Sequence, residues 1–333
     1  MTAKLLPFVY CLAVCALLMC SFASAQGQTI TSFDPHGSLQ TAPLSINSSG
    51  AITGYYSDGH GLHGFLRASD GSFTIFDVPG ATSTDPISIN STGTIAGYYA
   101  AGQMFHGFVR NVDGTFTMFD PPGSTDTFTQ SISSVGEVIG YYSEETGMFH
   151  GFVRAPYGTI TTFDPRGSIS TRPSGINEAG SITGSYLDSA QLYHGFIRAS
   201  DGTFATFVGR TGENTQSLSI NSAGEVTGAY GSFGNIHPFL RAADGTITTF
   251  EPITRSTGAS GVSINSGGTI TGDYVDLHGV SHGFIRKPND TFTTFGLSGV
   301  IFILPFSIND AGAITGYYQE SVFTTAHGFV LTP

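Results

Sequence analysis

The 333-residue sequence contains no tryptophan, and its three cysteines, Cys11, Cys15 and Cys20, all fall within the first twenty residues. Beyond them neither a disulfide framework nor a thiolate metal site is open to the chain, which must be held together by its core. Charge is scarce as well. Only 11% of residues are charged, with 24 acidic against 12 basic groups and a formal charge of −12. No basic stripe is present to track a phosphate backbone or an anionic membrane surface, which excludes nucleic acid as a partner class. Helical periodicity is missing too, since no segment after the first twenty-five residues repeats its apolar residues at a three-to-four spacing. Disorder is excluded in turn, because 40% of the chain is hydrophobic and 12% aromatic.

The one long apolar run covers residues 5–19, behind Lys4 and ahead of the small-residue site Ala23-Ser24-Ala25. It has the length and flanks of a secretory signal peptide, and falls short of the roughly 20 apolar residues of a spanning helix. Residues 1–25 are therefore expected to be removed, leaving 26–333 as a secreted single domain, extracellular or periplasmic, with no membrane insertion after cleavage. Cys20 invites a lipid anchor, but Met19 stands where such a site carries a small residue.

What is present is a repeat. His63-Gly64-Phe65 returns at His106, His150, His194, His237, His282 and His327, at intervals of 43 to 45 residues. Around it recur Leu44-Ser45-Ile46-Asn47, Ala51-Ile52-Thr53-Gly54-Tyr55-Tyr56 and Phe73-Thr74-Ile75-Phe76. These short segments, rich in Ile, Thr, Phe and Tyr and bounded by turn residues, read as four strands per unit. Asn47-Ser48-Ser49-Gly50 and Asp70-Gly71 make tight turns, so first and second strands pair antiparallel, as do third and fourth. Both faces of the strands are apolar or small, as in blades stacked around an axis. A lone fourth strand, Ile30-Thr31-Ser32-Phe33, precedes the first unit, and the last unit stops after its third. The expected fold is an all-β seven-bladed β-propeller of four-stranded antiparallel blades, the seventh closed by the N-terminal strand with the three C-terminal strands.

The unit lacks the Trp-Asp ending of WD40 repeats and has no kelch-like glycine doublet in register. On Ser45-Ile46-Asn47, Ile52-Thr53-Gly54-Tyr55-Tyr56, His63-Gly64-Phe65 and Phe73-Thr74-Ile75-Phe76-Asp77-Val78-Pro79 it resembles the HAF-type extracellular repeat of exported bacterial proteins. The family's triplet is His-Ala-Phe, whereas six copies here read His-Gly-Phe and one reads His237-Pro238-Phe239. The resemblance covers the whole mature chain; it implies export and a repeat scaffold, and brings no catalytic residues.

Equivalent histidines spread around a ring cannot converge to the roughly 2 Å of a zinc site. They are expected to bond neighbouring backbone in the blade interface, and no metal is expected. Six of the ten arginines (Arg67, Arg110, Arg154, Arg198, Arg241 and Arg286) lie two residues beyond the Phe of the triplet, where an ion pair or backbone contact between blades is expected. Asp34, Asp77, Asp120 and Asp164 read as turn formers before Pro and Gly, with Ca²⁺ as the sharper alternative. No Gly-x-Ser-x-Gly elbow, His-Glu-x-x-His helix or phosphate loop occurs, and no cofactor is expected.

The second-to-third loops and the crossovers vary between copies and share one face, which makes that face the expected functional surface. Its candidate ligand-binding residues are Arg166, Arg172, Arg210, Arg255, Phe105, Phe149 and Tyr193. The expected role is a monomeric, non-catalytic binding or scaffold module for a protein or carbohydrate partner at the cell envelope or outside the cell. The alternative is a propeller enzyme, a glycoside hydrolase or lyase, drawing a carboxylate pair from Glu144, Asp188, Glu213 and Glu320. With no tryptophan, stacking on sugar rings falls to Phe and Tyr.

Overall fold

The computed structural model describes residues 28–232, 235–253, 256–321 and 325–333. Residues 1–25, expected to be a signal peptide, lie outside them. The described chain folds into 28 strands and, among those residues, no helix. The strands form four-stranded antiparallel meanders in chain order, over residues 40–76, 83–119, 126–163, 168–207, 214–249 and 258–295. The first two share one eight-stranded sheet through a single parallel pair, Leu62 with Ser83. A last meander takes three strands from residues 302–332, and Thr29–Phe33 pairs with His327–Thr332 as its fourth.

The turns do what their residues dictate. Gly50 and Gly71 take φ of 81° and 92°, a region closed to most L-residues. The first strand of each meander is longer than its Ser-Ile-Asn signature suggests: the first copy runs Gln40–Ile46 and includes Pro43. Proline is tolerated there because this is an edge strand of its sheet, where no ladder bond from Pro43 is required. Each first strand also carries a β-bulge at the same place, with Leu44, Ile87, Gln130, Ser174, Leu218, Val262 or Phe306 as the extra residue. These bulges and the serines beside them line one axial cavity of about 190 Å³, so the first strands are the innermost.

Adjacent meanders pack face to face. The triplet phenylalanines Phe65, Phe108, Phe152, Phe196, Phe239, Phe284 and Phe329 are fully buried, each contributing roughly 1.5–3 kcal/mol. A second lattice is polar. The Asn47 side chain accepts the main-chain N–H of Ser49 and Ala51 in its own turn and donates to the carbonyl of Asn90 in the next meander. Asn90 donates in turn to Ser133, and Asn177, Asn221 and Asn265 pass the contact on to Asn309. Asn309 donates back to the Asn47 carbonyl at 2.9 Å. The array is a closed ring.

Candidate functional site

The repeated histidines bond carboxylates rather than backbone. His63, His106, His150 and His327 donate through Nδ1 to Asp77, Asp120, Asp164 and Asp34 at 2.7–2.9 Å, and His237 to Glu251 at 2.7 Å. Val208 and Gly296 replace that carboxylate in two meanders. There His194 and His282 turn their Nε2 to Asp188 and Asp276 from the preceding loop. The aspartates are thus not turn formers; the main chain closes those turns, as in the Ser38 N–H to Pro35 carbonyl bond. Their second oxygens take the hydroxyls of Thr41, Thr127 and Thr171 on the following first strand, which ties neighbouring meanders. The bond to Asp77 holds the His63 imidazole above its ordinary range. Asp276 is held down at about 2, first by the Val280 N–H.

The arginines differ from expectation as well. Their guanidinium groups stack on a phenylalanine of the preceding meander, Arg67 over Phe33 and Arg110 over Phe76 at 4.7 Å, and likewise in the other four. Their hydrogen bonds go to a carbonyl of their own turn, as from Arg67 to Ala68. Arg286 alone forms an ion pair, with Asp290. Spent on the interfaces, these groups are not a basic ring for a ligand.

A different set gathers at the end of the inner strands where the variable loops emerge. Each first strand there places one residue opposite one of the second strand: Ala42 faces Tyr55, Asp85 faces Tyr98, Phe128 faces Tyr141, and Arg172 faces Ser185. The remaining pairs are Gln216 with Ala229, Ser260 with Asp273, and Leu304 with Tyr317. Four tyrosines thus come from consecutive meanders, starting with the last. Around Phe128 the rings interlock: Tyr98, Phe105, Tyr141 and Phe149 all have centroids 5.2–6.3 Å from it. Arg172 covers this ledge, its guanidinium 4.5 Å from the Phe149 centroid and 5.6 Å from that of Tyr141.

Electrostatic coupling runs along the arc. Burial and then the Asp85 charge push the Tyr55 hydroxyl up, and the same two causes act on Tyr98. Tyr317 is raised by burial and by Asp273. Burial raises Asp85 and pushes Asp273 up to about 6. Arg172 acts in the opposite sense on Tyr141, where burial prevails. Among the described residues no protein group hydrogen-bonds the hydroxyls of Tyr55, Tyr98, Tyr141 or Tyr317, and no carboxylate pairs with Arg172. The arc is a row of open hydroxyls with two acids held above their ordinary range and one cation that no carboxylate pairs.

No protein-family model matches the chain, and no curated protein matches it. Solved structures do. A streptogramin B lyase superposes at TM-score 0.60 with 12% identity over 91% of this chain and 97% of its own. Virginiamycin B lyase from Staphylococcus aureus, in a catalytically inactive form with quinupristin, gives 0.62 and 12% over 92% and 99%. The β-propeller domain of the trilobed protease from Pyrococcus furiosus gives 0.60 and 10% over 87% and 95%. The chain is a β-propeller. At such identities the likeness carries the fold alone.

On the propeller, Phe105, Phe149 and Arg172 come together in the arc. Tyr193 holds the equivalent place one blade on, its N–H bonded to the Asn214 side chain at 3.0 Å, and no ring contact joins it to the ledge. Arg210 is exposed and pairs with Glu213 at 3.5 Å; Arg166 is exposed in a crossover turn; Arg255 lies outside the described residues. Of the four carboxylates named for acid–base work, Asp188 is committed to His194 and held below its ordinary range, first by the Leu192 N–H, and Glu213 is paired with Arg210. Glu144 and Glu320 make no contact with the arc. Asp85, Asp273 and the four tyrosines escaped sequence reasoning because they sit inside strands that look like scaffold. The signal that finds them is variation within a repeat: Gly-Tyr-Tyr becomes Gly-Ser-Tyr at 184–186, Gly-Ala-Tyr at 228–230 and Gly-Asp-Tyr at 272–274.

Proposed function

We propose that the chain is an exported seven-bladed propeller of the HAF-repeat type, a single domain over 26–333, that binds a glycan with the aromatic arc of its variable-loop face. The blade number is supported by the 28 strands and by the asparagine ladder returning to its start. Export is supported by the signal segment and the absence of cysteine after residue 20. The observation that carries the ligand class is the arc itself: hydroxyls of Tyr55, Tyr98, Tyr141 and Tyr317 without protein partners, beside stacked rings at Phe105, Phe128 and Phe149. Aromatic faces take the apolar faces of a pyranose while ring-edge hydroxyls take its own hydroxyls. The test is a glycan array with the mature protein, followed by titration of any hit against Tyr98→Ala and Phe128→Ala. Binding that survives both variants removes the arc from consideration.

A second reading, a propeller lyase or hydrolase acting on polysaccharide, has one observation in its favour. Burial pushes Asp273 up to about 6 and its charge raises the Tyr317 hydroxyl, a pairing suited to proton transfer. Product release from bound glycans, lost in Asp273→Asn, would establish it; intact chains after long incubation would dismiss it.

A further inference from the structure

Arg172 departs from the rules that the six repeat arginines obey. Its six repeat counterparts lie between blades, and Arg110, Arg154 and Arg286 are only 8%, 7% and 3% exposed. Arg172 is exposed, stands outside the His-Gly-Phe-x-Arg register, and occupies a place held by Ala42, Asp85, Phe128, Gln216, Ser260 and Leu304 in the other blades. Its guanidinium carbon lies 4.5 Å from the Phe149 centroid and 5.6 Å from that of Tyr141, two rings inclined at 75°, which together hold the group in place. None of its donors meets a carboxylate among the described residues. A guanidinium held against aromatic rings with its donors unpaired is a preorganised fork for a planar oxyanion. Arg166 and Arg210 offer no such support, since neither has an aromatic partner and Arg210 already leans on Glu213.

We propose that the arc selects acidic saccharides, with the carboxylate of a uronate residue gripped bidentately by Arg172 and its ring, or the next, laid on the Phe105–Phe128–Phe149 ledge. The inference rests on the glycan reading above and narrows it. Two features agree with it. Ser185, opposite Arg172, is small where the preceding blades carry Tyr98 and Tyr141, and its hydroxyl accepts the Ser217 N–H at 3.0 Å, so the fork is not spent on it. The formal charge of −12 opposes a long polyanion, so recognition of single uronate units in short stretches is the expected mode. Charges farther away than about 8 Å are screened at physiological salt and do not cancel the fork.

The experiment is calorimetric titration of the mature protein with four trisaccharides, of galacturonate, glucuronate, mannuronate and guluronate, each beside its methyl ester and its neutral parent sugar. The expected result is binding of at least one acid form, at least tenfold weaker for its ester. Arg172→Gln should lose about 10- to 100-fold in affinity for the acid form, the scale of a charge-assisted bidentate contact, and little for the ester. Arg172→Lys, which keeps charge but not the fork, should fall between. Because Arg172 is exposed, an unchanged thermal midpoint in each variant shows that the fold is intact. Equal affinity for acid and ester, or an unaffected Arg172→Gln, overturns the uronate inference and leaves glycan binding standing. Silence of all four acids alongside neutral hits does the same, whereas silence across the whole glycan panel overturns the broader reading.

Discussion

Ser133 is the one break in the asparagine ladder, and repairing it tests how the ring is held. At the other six places the amide nitrogen donates to the next blade at 2.9–3.2 Å. The amide oxygen takes N–H groups of its own turn, those of Ala179 and Ser181 at 3.1 and 2.9 Å in the case of Asn177. The Ser133 hydroxyl accepts only the Glu137 N–H, at 3.1 Å, and sends nothing to the Asn177 carbonyl. Ser133→Asn adds one buried bond between blades and one within the turn. Each is worth roughly 0.5–1.5 kcal/mol net, less a few tenths for the extra side-chain torsion, so a gain of about 1–2 kcal/mol is expected. Urea unfolding reads it as a raised midpoint with an unchanged slope. Asn221→Ser, the reverse change two blades on, should cost a similar amount and slightly more for its bond to Glu225, so the double variant should return to the wild-type midpoint or just below it; Asn177 meets the two sites through different groups, its carbonyl and its side-chain amide. A midpoint that stays or falls in Ser133→Asn, while Asn221→Ser still destabilises, would show that the third and fourth blades stand too far apart for an asparagine to bridge. The ladder would then follow from the ring instead of holding it.

Other expectations concern the rest of the interface. In Gly64→Ala the new Cβ would sit 2.7 Å from Cε2 of Phe76 and 2.9 Å from Pro86, so thermal melts should show a loss of about 1–3 kcal/mol despite the His-Ala-Phe spelling of the repeat that this unit resembles. Arg110→Leu copies the last blade, where Leu331 replaces the arginine, and removes a cation–π contact worth about 0.5–2 kcal/mol; calorimetry should find a loss within that range and no change of fold. Stability should be highest in mildly acidic solution. His63, raised above 6.5 by its bond to Asp77, and Asp273, raised from 3.8 to about 6, contribute stability that is whole below their unfolded values and is lost as pH rises through the folded ones. Asp188 and Asp276, the latter lowered from 3.8 to about 2, contribute stability present above about 3.8 and lost as pH falls through their folded values. Melting midpoints that keep rising from pH about 6 to about 8 would contradict that balance.

The strands, their antiparallel order and the partnership of the two chain ends were legible because turns and periodicity are local properties of the sequence. The chemistry between repeats was not. A histidine and an aspartate fourteen residues apart, as in His63 and Asp77, look like separate features until the third and fourth strands are laid side by side. The arginine stack on Phe33 joins residues from two repeats, a relation no single unit spells out. The inner-strand bulge left no mark either, because Leu44 and its counterparts have no residue type common to all. At the arc, loop variability pointed to Phe105, Phe149 and Arg172. Which strand residues stand behind them depends on ring geometry, and so Tyr98 and Tyr141 read as repeat.

Thr29–Phe33 is the first strand of the described chain to emerge during synthesis, and its ladder partner, His327–Thr332, is the last. Until the two meet, Phe65, Ile46 and Ile52 on the opening blade and Val330 on the closing one lack their shared cover. Closing a free loop of that length would cost on the order of 5 kcal/mol, a cost that the blades folded in between reduce by bringing the ends together. During that interval the strand belongs to whichever partner reaches it first, its own last blade or that of another molecule. Folding yield should therefore fall with protein concentration, and strand-exchanged dimers should accumulate when refolding is crowded.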